Sequence, residues 1–350
     1  MQPLIRIGIV GAGANTRLRH IPGFRAIEGV EIRGVVNSTA ASTRRAAAEL
    51  HIPNTYPDWQ TLVADPELDA VMIGTWPNLH CAVTCAALAA GKHVLTEARM
   101  SRNLAEARQM VEAAQAHPDL ITQIVPSPFG LEHHTAVSKL IAEGFLGDLR
   151  ELIVITADDS FHDESQPLHW RQDSGISGVN TLALGILHET ATRWIPCPER
   201  VFAQSSVTSP NRPGLDGTTN TATVPDSVQI LTTIPTDSGT ARGLYHVSGI
   251  ALHGPGRHIH MYGSRGTIKF QPGGQEEVWI GTAGESRLQK LAVPATQQGG
   301  WRVEAEFIGA IRGEEPVQFT SFEAGVRYMA FTEAVTRSAE QGIPIQIASL

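Results

Sequence analysis

Gly8-Ile9-Val10-Gly11-Ala12-Gly13-Ala14-Asn15-Thr16 ends an Ile/Val-rich run that begins at residue 4 and opens a stretch of helical character. A buried strand entering a glycine turn and then a helix aims backbone N–H groups and the positive end of the helix dipole at one point, a ready anion site. Gly11 permits the tight turn. Gly13 lets backbone approach a pyrophosphate, and Ala14 and Asn15 are assigned to the same contact. Thr16 stands where the third glycine of a G-x-G-x-x-G pattern falls. An ordinary glycine turn is the plainer alternative. A second strand ending about 25 residues later favours the dinucleotide reading, because it supplies the other half of the βαβ unit.

Working outward, short apolar runs at 4–10, 31–36, 70–75, 93–96 and 120–125 alternate with helical patterns such as 42–50 and 104–116. Alternation of this kind predicts a parallel sheet, whose doubly covered strands are rich in Ile and Val. Asn103 with Glu106 three residues on marks a helix start. The second strand ends in Asn37-Ser38-Thr39, with no carboxylate to hold both ribose hydroxyls as a strict NAD enzyme requires. Asn37, Ser38 and Thr39 suit a 2′-phosphate, with Arg44 or Arg45 for charge, or those arginines simply solvate a helix face. The cofactor is therefore written as NADP or NAD. Residues 1–125 form the expected dinucleotide-binding domain.

Beyond residue 126 the texture changes. A helix at 135–143 ends at Gly144, a strand follows at 149–156 and a helix at 181–194. Five β-like runs (227–233, 243–248, 259–262, 267–270 and 277–280) with Gly and Pro between them predict an open, mainly antiparallel sheet. The polar stretch 208–223 is expected as an exposed loop, and helices are expected at 303–312 and 321–340. The class is α/β throughout, with 126–350 as a second α/β domain for substrate binding and oligomerisation whose last helices pack on its sheet or return to the first domain.

The 350 residues carry a net charge of −8, which excludes the basic field needed to bind nucleic acid or an anionic membrane. No apolar run reaches the roughly 20 residues of a membrane span. Three cysteines, Cys81, Cys85 and Cys197, make a disulfide framework improbable and fit a reducing cytoplasm.

The third strand runs into Gly74-Thr75-Trp76-Pro77-Asn78-Leu79-His80, and after a helix comes Ala90-Gly91-Lys92-His93-Val94-Leu95-Thr96-Glu97-Ala98-Arg99. This succession closely resembles the glucose–fructose oxidoreductase/inositol dehydrogenase/MocA-like (Gfo/Idh/MocA) family. The resemblance continues through Glu143-Gly144-Phe145-Leu146-Gly147, Trp170-Arg171, Pro225-Asp226-Ser227 and Gly263-Ser264-Arg265-Gly266-Thr267. It implies a Rossmann domain, a substrate domain, and a homodimer or homotetramer formed through the open sheet. It also implies that Thr75, Trp76, Pro77, His80 and Glu97 serve the cofactor, and that Trp170, Arg171 and Asn180 serve a small-molecule substrate.

Departures from the family pattern fall at its chemistry. Glu97 is usually followed by a lysine and a proline, and the lysine touches the nicotinamide and the reacting hydroxyl; here Ala98 and Arg99 stand there. An aspartate and a histidine four apart usually line the second domain's helix, and alignment through Gly185 and Arg193-Trp194 puts Ala183 and Leu187 at those places. Hydride transfer from a carbinol needs a base for the hydroxyl proton and a donor for the alkoxide, which alanine and leucine do not supply. The substitutes expected are His188, returned to the site wall by a one-residue slip or a bulge, His162 in an acidic loop, and Arg99. No H-x-x-x-H or H-x-x-E spacing is present around His188-Glu189, and no metal is expected.

Three functions remain in view. The first is an NAD(P)-dependent oxidoreductase acting on a sugar, cyclitol or similar small hydroxylated ring. The second is a lyase, hydratase or glycoside-cleaving enzyme that retains the dinucleotide without net redox. The third is an inactive binding protein.

Overall fold

The computed structural model describes residues 3–214 and 218–350. Two compact units divide the chain, one formed by residues up to Pro126 with Arg302–Val326, the other by Ser127–Trp301 with Arg327–Leu350. Sequence alone draws a single boundary at 125/126; in the structure the chain re-enters the first unit at Arg302.

In the first unit, β1 (Ile5–Val10), β2 (Val30–Val36), β3 (Asn54–Thr55), β4 (Ala70–Ile73), β5 (His93–Thr96) and β6 (Thr122–Ile124) form a six-stranded sheet in the order β3-β2-β1-β4-β5-β6. Every neighbouring pair is parallel. Ile7, Ile9, Val35, Val71, Met72, Val94 and Leu95 are fully buried, as helix-covered parallel strands must be. Register sets Val10 beside both Val36 and Ile73, and Ile73 beside Thr96. The residues that follow them, Gly11, Asn37, Gly74 and Glu97, therefore emerge along one carboxyl edge. Strand order reverses direction at β1/β4, which is where an open α/β sheet leaves a crevice for a ligand.

Helices Leu104–Ala116 and Val303–Arg312 lie where the sequence predicts them, and Asn103 caps the former by accepting from Glu106 N at 2.9 Å. The helix expected at 42–50 is Ala40–Glu49, beginning earlier because Thr39 and Ser42 cap each other reciprocally. The strand β3 and the helix Trp59–Val63 leave no signal in the sequence, since two and five residues are too short for periodicity to register.

The second unit carries β7 (Leu149–Ala157), β8 (Arg200–Ser206), β9 (Asn211–Pro213), β10 (Thr219–Thr221), β11 (Ser227–Thr236), β12 (Gly239–Ser248), β13 (Gly256–Gly263), β14 (Gly266–Gln271), β15 (Glu277–Thr282), β16 (Gln289–Lys290) and β17 (Ile345–Gln346). Nine of these make a mixed sheet, β16-β15-β14-β13-β7-β12-β11-β8-β17, antiparallel at every pair except β7/β12. One face packs Ile230, Tyr245, Ile259 and Phe270 against Leu187 and Phe331. On β11 and β12, Leu231 and Leu244 pair in register and remain exposed. The exposed loop expected at 208–223 is corrected: β9 and β10 form a hairpin there, and Arg212 is buried, donating to the carbonyls of Phe161 and Asp163 at 2.5 Å. Part of that stretch, 215–217, lies outside the described residues.

Candidate functional site

The carboxyl edge of the parallel sheet assembles a cradle whose parts have separable causes. Gly11 has φ +89°, and a Cβ there would stand 2.8–2.9 Å from Thr75 and Gly74, so the fold itself demands glycine. Gly74 is equally constrained, since its Cβ would lie 2.1 Å from Thr16 Oγ1. Gly13 differs: its backbone is ordinary, and the nearest atom to an added Cβ is Gly74 O at 3.4 Å. Nothing among the described residues requires glycine at 13, whereas a pyrophosphate lying on the backbone would. The cradle fits a dinucleotide. Gly11 to Asn15 would hold its phosphates at the start of the helical run that follows.

Asn37 fixes the loop. Its Oδ1 accepts from Ala12 N at 2.8 Å and its Nδ2 donates to Ser42 O at 3.2 Å. With both ends of its amide engaged, Asn37 acts as a brace, while Ser38 just beyond β2 and Arg44 and Arg45 on the helix Ala40–Glu49 stay exposed. The helical run contains a π-turn at Thr16–His20, a local widening often met at functional sites. His20 at its end is fully buried and bonded by both ring nitrogens, to Glu304 at 2.5 Å and to Glu97 at 3.0 Å. Burial pulls His20 toward neutrality, but hydrogen bonds and charge from the two carboxylates outweigh it and raise its pKa to about 9. Burial likewise works to raise Glu97, yet His20 and then Asn15, at 2.5 Å, hold its carboxyl below the usual range. Neither His20 nor Glu304 is marked by any motif in the sequence, because a contact spanning 284 residues leaves no local signal.

His80 is buried with one ring nitrogen 2.8 Å from Arg99 O and the other 3.0 Å from Thr75 O. It ties the β4 turn to the segment after β5, and burial, the leading influence, lowers its pKa. Pro77 starts the helix Pro77–Ala89, while the Trp76 ring at its N-cap is half exposed. The Ala98–Arg99 peptide is cis, and Arg99 is buried rather than a surface cation.

In the second unit His188 is buried. The helix Leu184–Thr192 is regular, without the bulge that would turn His188 to the expected wall. Its ring stacks on Phe331 at 3.6 Å, its Nδ1 lies 3.1 Å from Tyr245 Oη, and burial lowers its pKa to about 3. Enclosed by aromatic rings, with burial working against its charged form, His188 sits in the core of the second unit. Leu187 beside it is also buried, and Ala183 caps the helix. His162 stands in an exposed turn of the acidic loop. Trp170 and Arg171 share a one-turn helix in which the guanidinium lies 4.3 Å from the indole centroid, and burial lowers the Arg171 pKa. Asn180 is buried and donates to Ser177 O at 2.7 Å. Arg193 grips Glu189 and the carbonyls of Ser127 and Phe129, and Glu189 accepts from Ser127 N, so the chain at 127–129 is firmly held.

No described helix is long and apolar enough to cross a membrane. Residues 5–124 match the family model described as an oxidoreductase family with NAD-binding Rossmann fold, and 134–269 match the GFO/IDH/MocA C-terminal domain. An uncharacterized oxidoreductase of Rhizobium meliloti is 26% identical, covering 97% of this chain and 98% of its own. A 1,5-anhydro-D-fructose reductase of Ensifer adhaerens is 34% identical over 53% of this chain and 55% of its own, and a myo-inositol 2-dehydrogenase of Thermotoga maritima is 25% identical over 75% and 74%. The solved structure of levoglucosan dehydrogenase in its apo form superposes with a TM-score of 0.85 at 21% identity, covering 99% of both chains.

Proposed function

The chain belongs to the Gfo/Idh/MocA oxidoreductase family, and on that premise we propose that it oxidises or reduces a sugar, cyclitol or similar small hydroxylated ring. Gly13 carries the reading: it is a glycine that the protein's own packing leaves unexplained and that a pyrophosphate explains. The names of relatives acting on 1,5-anhydro-D-fructose and myo-inositol support the substrate class.

Bound NAD or NADP supplies hydride acceptance and donation. The chain's own part begins with Gly11 to Asn15, which receive the phosphates. Glu97, immobilised by Asn15 and His20, holds a fixed negative charge at the same edge. His80 sets the path of the Thr75 and Arg99 backbone, and Trp76 offers an exposed ring beside the cradle. Arg99 in the first unit and His162 in the second remain the candidates for stabilising charge and carrying the proton. Trp170 and Arg171 are the candidates for substrate contact.

A second reading, dinucleotide retained without net redox, is favoured by Ala98, which puts a methyl group where the family's lysine would meet the reacting hydroxyl. An absorbance assay separates the two. Purified protein with NAD or NADP and a panel of cyclitols and aldoses is expected to develop the reduced-nicotinamide band with at least one polyol. Substrate conversion with no change in that band would overturn net hydride transfer.

A further inference from the structure

Glu132, His133 and Glu276 meet in the second unit, each with a ligating atom within 4.8 Å of the others'. Glu276 comes from the turn between β14 and β15, and its Oε1 accepts from Gly130 N at 2.8 Å, 146 residues earlier. That bond leaves Oε2 facing His133 Nδ1 at 3.5 Å. Both atoms are buried and make no hydrogen bond among the described residues, their one contact being the ion pair they form when His133 is protonated. His133 is only 7% exposed, while Glu132 is open to solvent.

We propose that Glu132, His133 and Glu276 bind a divalent transition-metal ion, with zinc the best fit. Two ligands held at about 2.0–2.2 Å from one tetrahedral ion stand about 3.4 Å apart. The His133–Glu276 separation matches this and is too long for a good hydrogen bond, whose usual range is about 2.7–3.2 Å. A buried carboxylate oxygen and a buried imidazole nitrogen without hydrogen bonds are costly, and one ion satisfies both. Two carboxylates and a neutral imidazole bring a charge of −2, which a divalent ion cancels. One nitrogen and two oxygens suit zinc or its first-row neighbours rather than calcium or magnesium, which take all-oxygen shells. Three protein ligands leave the fourth position to water on the exposed Glu132 side.

The ion fastens residues 130–133 to the β14–β15 turn, in the segment whose preceding residues Arg193 and Glu189 already hold. The site does not depend on the proposed hydride chemistry, since no residue of the dinucleotide cradle takes part.

Calorimetric titration of chelator-treated full-length protein with Zn²⁺ alone, and with Co²⁺ for its visible absorption, tests this. One Zn²⁺ per chain is expected, with Kd at or below about 10⁻⁶ M, and melting temperature should rise with added Zn²⁺ because the ion binds only the folded chain. Outer-shell partners alone cost about 10- to 100-fold in metal affinity, so Glu132→Gln, which removes a ligand, should weaken binding at least about 10-fold. His133→Gln should abolish the Co²⁺ band. Should His133→Gln fail to fold, Glu132→Gln decides alone, because its side chain is exposed. Absence of stoichiometric Zn²⁺ binding, or binding by Glu132→Gln as tight as by the parent, would overturn the site; the latter would assign the zinc to other residues such as Cys81 and Cys85.

Discussion

Gly11 and Gly13 stand two residues apart and are glycine for different reasons. Gly11 has positive φ and no room for a side chain, so Gly11→Ala should destabilise the first unit by about 1–3 kcal/mol, seen as a lower melting temperature. Gly13→Val should leave the fold near parent stability and abolish dinucleotide binding, measured by fluorescence or calorimetric titration. Binding retained by that variant would remove the cofactor assignment. His188 makes a different point about single residues. Its place one step beyond the family's histidine position suggests a proton carrier, yet the burial that places it against Phe331 also lowers its pKa. His188→Phe keeps an aromatic stack and discards the titratable ring. The pH profile of kcat/KM should be unchanged, while the lost Tyr245 partner lowers stability by about 1–3 kcal/mol. A pH limb that disappears in this variant would restore His188 to the chemistry.

Among the elements, the trio Glu97, His20 and Glu304 joins the end of β5, the π-turn after the glycine loop and the helix Val303–Arg312. Its pH dependence has a definite sign. The folded-state pKa of His20 is raised from the ordinary 6.5 to about 9, so the folded chain binds that proton more tightly than the unfolded chain does. The resulting stability is fully present below pH 6.5 and is lost as pH climbs through about 9. Melting temperature should therefore fall across that window, and His20→Gln should flatten the slope; an equal slope in both would assign the titration elsewhere. Elements with long periodicity and a cap, such as Leu104–Ala116 behind Asn103, could be read from sequence because their signals are local. The strand β8 and the β9–β10 hairpin could not. Their place depends on partners such as β11, and on the burial of Arg212 against Phe161 and Asp163, contacts made across about 50 residues.

At the scale of the whole molecule, the class of fold and the dinucleotide cradle were legible because they rest on contiguous motifs: a strand, a glycine turn, a helix and the T-W-P-N-L-H turn. What assembles by tertiary contact was not. Glu304 behind His20 and Glu276 beside His133 lie far along the chain from their partners, and no spacing rule reaches them. Catalysis suffers most from this, because Ala98 and Leu187 remove the motif by which the family's proton chemistry is ordinarily recognised. This chain is an oxidoreductase with a site for NAD or NADP. The most direct test of that site is to denature the purified protein, identify any released dinucleotide by mass spectrometry, and titrate the stripped protein with NAD and with NADP. One dinucleotide per chain is expected to bind, reversibly at about micromolar Kd, with the preferred cofactor reduced by a polyol. A folded protein that releases no dinucleotide and binds neither would contradict the assignment.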